Sequence, residues 1–299
     1  MSVSAGSSDR PLIAVSGATG KQGGAVARHL LQAGFRVRGL TRRADSPAAL
    51  TLRRLGAELA EADLNVPTTL DAAFAGVQGV FSVQNFYEKG VGFAGEVRQG
   101  RNLVEAARRA GVGHVVQSTM ARAEGAETVD HFRSKFTIES IVDDLGLPRT
   151  FLGTVWFMDN LYDRSMGGEM SFPVIAGTLG RDRPFEMMAV DDLGGLAARV
   201  FSEPERFLGT RINIAGDRRS VREMREIYQQ VVGRWPPSYA IPNFVTRFLN
   251  RDFAEQLKWQ GRIGWDFSLA EARSVYPVMQ DLPTFLARNL MQLKRSRAA

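Results

Sequence analysis

The sequence predicts an α/β protein built on a Rossmann-type, doubly wound parallel sheet with a smaller C-terminal α+β lobe. Short apolar runs such as residues 12–16 are typical of strands buried on both faces. These runs alternate with stretches of helical period, and a glycine-rich segment joins the first strand to the first helix. Repeated strand–helix units imply right-handed crossovers and therefore a parallel sheet.

Local signals place the elements in order along the chain. The first helix follows the glycines and ends near Gly34, and Ser46 and Pro47 suit the start of a second helix that Gly56 ends. Strands are predicted over 12–16, 35–40, 57–62, 77–83, 112–118, 150–156 and 211–215, and further helices over 69–75, 96–110, 136–145, 193–201, 221–232 and 283–294. Residues 158–183 read as a loop with short strands, and Asp191-Asp192 as the N-cap of the helix that follows.

Composition excludes several kinds of site. The 299 residues include no cysteine and three histidines, which excludes disulfides, a thiolate metal site and a cysteine nucleophile, and argues against any metal. The polar start of the chain lacks the apolar stretch of a signal peptide, and no run approaches the roughly 18 apolar residues of a membrane span. The sequence therefore predicts a cytoplasmic protein without a membrane partner.

The net charge of +6 is concentrated at one end of the chain. Residues 1–60 hold nine Lys and Arg against three Asp and Glu, which accounts for the whole excess. A basic chain is often interpreted as a nucleic-acid binder. Because this excess surrounds the glycine segment and the second strand, and the remainder is balanced, no nucleic-acid partner is predicted.

The glycine segment carries the main functional prediction. Gly17, Gly20 and Gly23 form a GxxGxxG pattern between the first strand and the first helix. A dinucleotide site needs glycine for a tight turn, for close approach of the backbone to the pyrophosphate, and for close packing of the helix on the strand. The helix N-terminus then offers free N–H groups to the phosphates. The pattern in this context predicts a dinucleotide-binding site.

The residues after the second strand favour NADP(H) over NAD(H). An NAD site usually places an acidic residue about 20 residues beyond the glycines, where it accepts from the ribose 2′-hydroxyl. This chain has Arg42 and Arg43 there, with no acid before Asp45. A guanidinium fits a 2′-phosphate in charge and geometry, and Arg42 is the better candidate. The alternative is that the two arginines form a solvated surface pair.

Several separated motifs together resemble the NmrA-like family of atypical short-chain dehydrogenases/reductases. The matching segments are Gly17-Ala-Thr-Gly-Lys-Gln-Gly23, Arg42, Asp63-Leu64, Gln84-Asn85-Phe86-Tyr87-Glu88 and His131-Phe132-x-x-Lys135. The resemblance implies that Thr19, Lys21 and Gln22 line the phosphates and that Asp63 and Leu64 lie beside the adenine. It also implies that Asn85 lies near the nicotinamide, and that Lys135 bonds the nicotinamide ribose and orients or protonates the substrate.

The chain departs from ordinary short-chain dehydrogenases at their catalytic tyrosine. That tyrosine stands four residues before the lysine, where this chain has His131. Two outcomes stay open: a reductase that works with the lysine, or a regulatory protein that senses NADP(H), binds a protein partner and transfers no hydride. His131 and Lys135 share a helix face, so His131 is either a general acid or an exposed histidine. Ser118 is either a hydroxyl for the substrate carbonyl or a strand-end turn residue.

The sequence-level hypothesis is a reductase that transfers hydride from NADPH to a small apolar carbonyl, quinone or imine-like acceptor, with Lys135, His131 and Ser118 as the catalytic candidates. We expect a disordered leader at 1–10, an NADP-binding Rossmann domain at 11–157, and a smaller substrate or partner lobe at 158–299 interwoven with it. Segments 156–163 and 166–190 are expected to close over the substrate. The sequence leaves the oligomeric state open.

Overall fold

A computed structural model describes residues 10–121, 128–265 and 267–293, so the predicted leader lies outside the described residues except for its last residue, Arg10. The described residues fall into two compact units. The first contains residues 10–121, 131–153 and 193–212. The second contains residues 128–130, 154–192 and 213–293 without residue 266.

The main sheet has seven strands in the order β3-β2-β1-β4-β5-β6-β9. Its strands are β1 (Leu12–Val15), β2 (Arg36–Thr41), β3 (Glu58–Glu61), β4 (Gly79–Ser82), β5 (His114–Met120), β6 (Arg149–Thr154) and β9 (Arg211–Asn213). Strand β1 pairs in parallel with β2 and β4, β2 with β3, and β4 with β5. The doubly wound parallel sheet predicted from the sequence is confirmed.

Helices follow the strands in alternation. They are α1 (Lys21–Gln32), α2 (Pro47–Arg54), α3 (Thr68–Ala73), α4 (Gly92–Arg109), α5 (Asp130–Asp144), α7 (Val190–Ser202) and α8 (Pro204–Phe207). Apolar side chains from the strands and helices bury one core, in which Leu70, Phe74, Leu103 and Val115 are fully enclosed. Burial of such side chains is the main stabilising contribution to this unit.

The order of the strands reverses between β1 and β4. From β1 the sheet continues outward through β2 and β3, and from β4 it continues through β5 and β6. Ser16 joins the carboxyl ends of these two strands, because its hydroxyl donates to the Val83 carbonyl at 2.9 Å and accepts from the Val83 N–H at 2.8 Å. Open α/β sheets bind their ligands outside the strand ends at such a reversal. The topology therefore places a candidate site beside the glycine segment.

The second unit contains a three-stranded sheet of order β10-β8-β7 and several helices. Its elements are β7 (Trp156–Phe157), three short 3-10 turns between Met158 and Met170, α6 (Ser171–Leu179), β8 (Phe185–Met188), β10 (Asp217–Arg219), α9 (Val221–Val232), α10 (Asn243–Leu249), α11 (Arg251–Arg262), α12 (Leu269–Val275) and α13 (Leu282–Arg288). A second core encloses Phe172, Tyr228 and Phe285.

The loop predicted over 158–183 is wrong, because this segment contains helix α6. Its side chains at Phe172, Ile175 and Ala176 recur at helical spacing and are buried in the second core. The glycines around this segment hid that period. Tertiary burial of one face stabilises a short helix that local propensity does not predict.

The predicted N-cap at Asp191-Asp192 is also wrong. Helix α7 already begins at Val190, whose N–H donates to the Asp159 carboxylate at 2.8 Å. The Asp192 carboxylate instead accepts from the backbone N–H of Gln280 at 2.9 Å and from its side-chain amide at 3.1 Å. A distant aspartate therefore satisfies the helix start, and Asp192 serves a long-range contact.

Candidate cofactor site

The first glycines form a tight turn between β1 and α1. Gly17 has φ of +59°, a left-handed conformation that side chains disfavour, and its carbonyl accepts from the Gly20 N–H at 2.8 Å. Helix α1 begins directly after Gly20 and has neither a side-chain cap nor an acidic residue in its first turn. The positive end of the helix dipole therefore lies at the turn without a negative group of the helix to compensate it.

Gly23 brings the helix onto the strand. A Cβ atom at this position would lie 2.4 Å from the carbonyl oxygens of Ser16 and Gly17. Both obstacles are backbone atoms, so a larger residue would force the helix away from the strand. The turn at Gly17, the open helix end after Gly20 and the close approach at Gly23 together fit a pyrophosphate, as the sequence predicted for this loop.

The side chains of the loop differ in their surroundings. Thr19 and Lys21 are exposed at the turn, whereas Gln22 is half-buried. Its side-chain oxygen accepts from the Ser118 hydroxyl at 2.7 Å. Ser118 is not at the end of its strand, since β5 continues to Met120, which removes the alternative of a strand-end turn residue. The structure therefore links a predicted phosphate-loop residue directly to a predicted substrate-side residue.

Arg42 follows β2 immediately, and its side chain is 59% exposed. Its guanidinium pairs with the carboxylate of Glu88, and this hydrogen bond raises the pKa of Arg42 although burial acts against it. Asp63 is near enough for its charge to act on Arg42 in the same direction. The arginine predicted to read a 2′-phosphate thus lies among carboxylates, which would compete with a phosphate for it.

The Asp63-Leu64 pair is held by local hydrogen bonds. The Asp63 carboxylate accepts from the backbone N–H of Asn65 at 2.8 Å and from its side-chain amide at 3.0 Å. The Leu64 carbonyl accepts from the Asn102 amide at 2.7 Å, and the Leu64 side chain packs on the first core. This turn after β3 has a fixed backbone beside the Arg42 region.

The loop after β4 connects two parts of the site. Asn85 is exposed, and its carbonyl accepts from the Glu88 N–H at 3.2 Å. The rings of Phe86 and Tyr87 lie 4.8 Å and 5.3 Å from the imidazole of His131. Because Glu88 in the same loop holds Arg42, one short loop touches both the arginine and the histidine.

Lys135, His131, Ser134 and Glu96 form a buried group that we call the Lys135 cluster. Helix α5 begins at Asp130 rather than at the predicted residue 136, so it carries His131 and Lys135 on its first turns. The Lys135 ammonium lies 2.9 Å from one oxygen of Glu96, and His131 Nδ1 lies 3.4 Å from the other. The Ser134 hydroxyl donates to the same carboxylate.

Glu96 is completely buried, and it is ionised in this setting. Burial alone would raise its pKa, but the charges of Lys135 and His131 and the hydrogen bonds from His131 and Ser134 outweigh it and lower the pKa to about 2. Close approach of the two helices makes this contact possible. A Cβ atom on Gly100 in α4 would lie 2.6 Å from Ile138 in α5, so the glycine lets the helices meet.

Sequence reasoning missed Glu96. The available signal was a carboxylate on the face of α4 that also carries Gln99, Gly100 and Leu103, all of which are buried. A charged residue on a buried helix face requires a partner, because an unpaired buried charge is very costly. The partner is Lys135, far along the sequence on another helix, so local periodicity could indicate the need for a partner without naming it.

The described residues also bear on metal-ligand groups and on membrane-spanning helices. Among residues 10–121, 128–265 and 267–293, no group of three or more His, Asp or Glu residues is arranged to hold a metal ion. Within the same residues no helix is long and apolar enough to cross a membrane. Tyr162 belongs to the second unit, where its hydroxyl donates to Asp159 at 2.6 Å.

The sheet reversal, the glycine turn and the arginine after β2 define a protein of the Rossmann-like class with a candidate dinucleotide site. The chain belongs to the NmrA-like family, whose sequence profile matches residues 9–271. The family predicted from the separated motifs is confirmed.

Known relatives and solved structures resemble most of the chain. The NmrA-like family domain-containing oxidoreductase lnaB of Aspergillus flavus is 33% identical over 249 residues, which are 76% of this chain and 75% of lnaB. Triphenylmethane reductase of Citrobacter sp., complexed with NADP(H), superposes with a TM-score of 0.75 at 22% identity over 95% of this chain and 99% of its own. NmrA, a negative transcriptional regulator in complex with NADP, has a TM-score of 0.76 at 20% identity over 97% and 98%. These two structures share the fold of this chain.

Proposed function

We propose that this protein binds NADP(H) and acts as a reductase on a small apolar carbonyl, quinone or imine-like acceptor. The observation that carries the proposal is the cradle formed by Gly17, Gly20 and Gly23, where only hydrogen fits beneath the helix at Gly23. The pyrophosphate would bind at the start of α1, with Thr19, Lys21 and Gln22 around it. NADP-bound structures of the same fold, among them triphenylmethane reductase and NmrA, support this choice of cofactor.

Arg42 is proposed to bind the 2′-phosphate. It follows β2 at the position where the Rossmann fold contacts the adenosine ribose, and its guanidinium is exposed enough to be reached. Glu88 now holds it, so binding of a phosphate requires Arg42 to exchange one anionic partner for another. The double negative charge of a phosphate favours that exchange over a neutral ribose hydroxyl. Asp63 and Leu64 would lie beside the adenine.

Lys135 is proposed to bind the nicotinamide ribose and to orient the substrate. Its ammonium has little freedom, because Glu96 holds it at 2.9 Å in a buried position. A held ammonium loses less conformational entropy when it donates to a ligand than a mobile one would. Asn85 and Ser118 complete the proposed surroundings of the nicotinamide, and Ser118 is oriented by Gln22.

His131 is proposed as the residue that holds a proton for the acceptor, in the place of the missing tyrosine. Its side chain is 14% exposed against 5% for Lys135, so it is the more accessible of the two. When bound, NADPH would supply the hydride, and reduction of the acceptor also requires one proton. Imidazole suits that task because its charge changes near neutral pH. The Glu96 carboxylate lies 3.4 Å from the Nδ1 atom of His131.

A regulatory role is the second candidate, and one observation favours it. Histidine stands where ordinary short-chain dehydrogenases carry tyrosine, and NmrA, which shares this fold, is a transcriptional regulator that binds NADP. In this case the same site would bind NADP(H), and the bound state would differ from the free state in its affinity for a protein partner.

Parallel measurements of binding and turnover separate the two candidates. NADPH affinity is measured by calorimetry, and NADPH oxidation is followed with quinones, aldehydes, imines and dyes as acceptors. We expect Lys135→Ala to lose turnover while it still binds NADPH, whereas the control Lys258→Ala, which removes a partly exposed lysine of α11, keeps both. NADPH binding by the wild type without turnover on any acceptor would contradict the reductase and support the regulator.

A further inference from the structure

A cavity of about 220 Å³ lies within the second unit, and it is not used by the proposed function. Its apolar lining includes Phe172 and Ala176 of α6 and Val221, the first residue of α9. All its lining residues belong to the second unit, whereas Gly17, Arg42, Glu96 and Lys135 belong to the first. The cavity is smaller than the roughly 300 Å³ at which pockets for drug-sized ligands begin, so it suits a ligand of one or two rings.

The wall of the cavity is strongly basic. Arg181, Arg222 and Arg225 line it, against one carboxylate, that of Glu226. Arg222 is compensated by Asp182 at 2.6 Å outside the lining. Among the residues that the structure describes, neither Arg181 nor Arg225 has a carboxylate within ion-pair distance, so two guanidinium groups without a direct ion pair line the cavity.

Arg181 and Arg225 are held in place by neutral groups instead of carboxylates. Arg181 donates to the Ser238 carbonyl at 2.8 Å, and Arg225 donates to the Pro237 carbonyl. Carbonyl groups satisfy individual N–H groups but carry no net charge, and a guanidinium has five N–H donors. Burial and the neighbouring charge of Arg181 both lower the pKa of Arg225, which shows that the like charges act on each other. An anion in the cavity would relieve this repulsion.

Aromatic rings stand at the opening of the same cavity. Trp235 is 58% exposed and Tyr239 is 54% exposed, which is unusual for such large side chains. The guanidinium of Arg225 lies 5.7 Å from the centre of the Trp235 ring. The cavity therefore offers a flat apolar face and fixed guanidinium groups side by side, a combination that suits a ligand with a ring and an anionic substituent.

We propose that this cavity binds a small aromatic anion, whose carboxylate or phosphate pairs with Arg181 and Arg225 and whose ring packs on Trp235 and Tyr239. The site is separate in composition from the proposed NADP(H) site, so it can be tested without reference to turnover. A ligand there would couple helix α9 to the loop at 235–239, because Arg225 and Arg181 already hold that loop.

Calorimetric titration of the full chain with four probes tests the proposal. The probes are naphthoate, the matching neutral naphthamide, naphthyl phosphate and acetate. We expect naphthoate to bind at least tenfold more tightly than naphthamide and acetate, since each control lacks the charge or the ring. Naphthyl phosphate keeps the ring and changes the anion: tighter binding than naphthoate assigns the site to aromatic phosphates, and weaker binding assigns it to carboxylates. Equal affinity for naphthoate and naphthamide would overturn the proposal.

Three variants assign the binding to this cavity. Arg225→Gln and Trp235→Ala should each weaken naphthoate binding at least tenfold. Arg225→Gln also removes the contact with the Pro237 carbonyl and could unfold for that reason. In that case Arg181→Gln replaces it as the test variant, because Arg181 is exposed. The matched control is Arg206→Gln. Arg206 also lies over an aromatic ring, 5.1 Å from the centre of the Phe207 ring, but it does not line the cavity. A loss of binding in the control that equals the loss in folded cavity variants would refute the assignment.

Discussion

Replacement of Glu96 by glutamine removes the charge at the centre of the Lys135 cluster and keeps its shape. The wild-type carboxylate is completely buried and lies 2.9 Å from the Lys135 ammonium. An amide can accept a hydrogen bond from Ser134, but it cannot neutralise the lysine. The variant therefore leaves Lys135 as a buried cation without its counter-ion, which typically costs about 3–5 kcal/mol of the free energy of unfolding.

The pH dependence of this cost follows from the pKa of Glu96. Folding lowers that pKa from 4.5 to about 2, a difference that corresponds to a stabilisation of about 3 kcal/mol. Because the folded-state pKa is the lower one, the stabilisation is complete above pH 4.5 and is lost as the pH falls towards 2. We expect the stability difference between wild type and Glu96→Gln to be largest at neutral pH and to narrow through this range.

The measurement has to report on the first unit. The four tryptophans, Trp156, Trp235, Trp259 and Trp265, all belong to the second unit, so their fluorescence reports directly on that unit and not on α4 and α5. Urea unfolding followed by circular dichroism, together with hydrogen exchange of peptides from these two helices, gives the required free energies.

Glu139→Gln is the matched control. Glu139 is a buried carboxylate on α5 that accepts from a hydroxyl and pairs with a cation, as Glu96 does, but its partners are Thr119 and Arg211. We expect the Glu139→Gln variant to lose stability but to keep the rate of NADPH oxidation per folded molecule. The Glu96→Gln variant should lose both. A Glu96→Gln variant as stable as wild type at neutral pH, or a stability difference that does not change between pH 4.5 and 2, would refute the electrostatic argument.

Three further predictions concern the cofactor. Arg42→Ala should weaken NADPH binding roughly tenfold to a hundredfold, which is the contribution of charged hydrogen bonds, and should have little effect on NADH binding. Glu88→Gln should strengthen NADPH binding roughly two- to fivefold, because it removes the carboxylate that competes for Arg42. Calorimetry with both nucleotides checks these changes, and an equal loss for NADH and NADPH in Arg42→Ala would show that Arg42 does not read the 2′-phosphate. Gly23→Ala should abolish binding of both nucleotides, because the added Cβ meets backbone oxygens at 2.4 Å, whereas Gly113→Ala, with its nearest atom at 3.5 Å, should bind normally; normal binding by Gly23→Ala would contradict the cradle geometry.

Features that depend on neighbours in the sequence were predictable. The glycine turn and the helix that follows are local, because a left-handed residue at Gly17 and a hydrogen bond from Gly20 close within a few residues. The spacing of apolar residues in the alternating strands and helices also indicates which face of each element is buried, and this alternation predicted the parallel sheet. The position of Arg42 directly after β2 was predictable for the same reason.

Features that depend on a distant partner were not predictable in the same way. The local sequence predicts a loop where helix α6 lies, since the short apolar face of this helix is stable only against the second core. The local sequence predicts a helix cap at Asp192, whereas its carboxylate accepts hydrogen bonds from Gln280. In both cases the residue types were compatible with the local prediction, and a contact far along the chain decided between the alternatives.

The sequence by itself determined the fold class, the family and the glycine turn for a dinucleotide. These features depend on backbone conformation and on the spacing of buried apolar residues, which are both set by residues close together in the sequence. Only the tertiary structure decided which charges meet. It placed Glu96 next to Lys135 and His131, Glu88 against Arg42, and Arg181 and Arg225 around the cavity of the second unit. The physical reason is that the energy of a charge depends on its burial and on the nearest opposite charge, and both are set by the packing of elements that are remote in sequence.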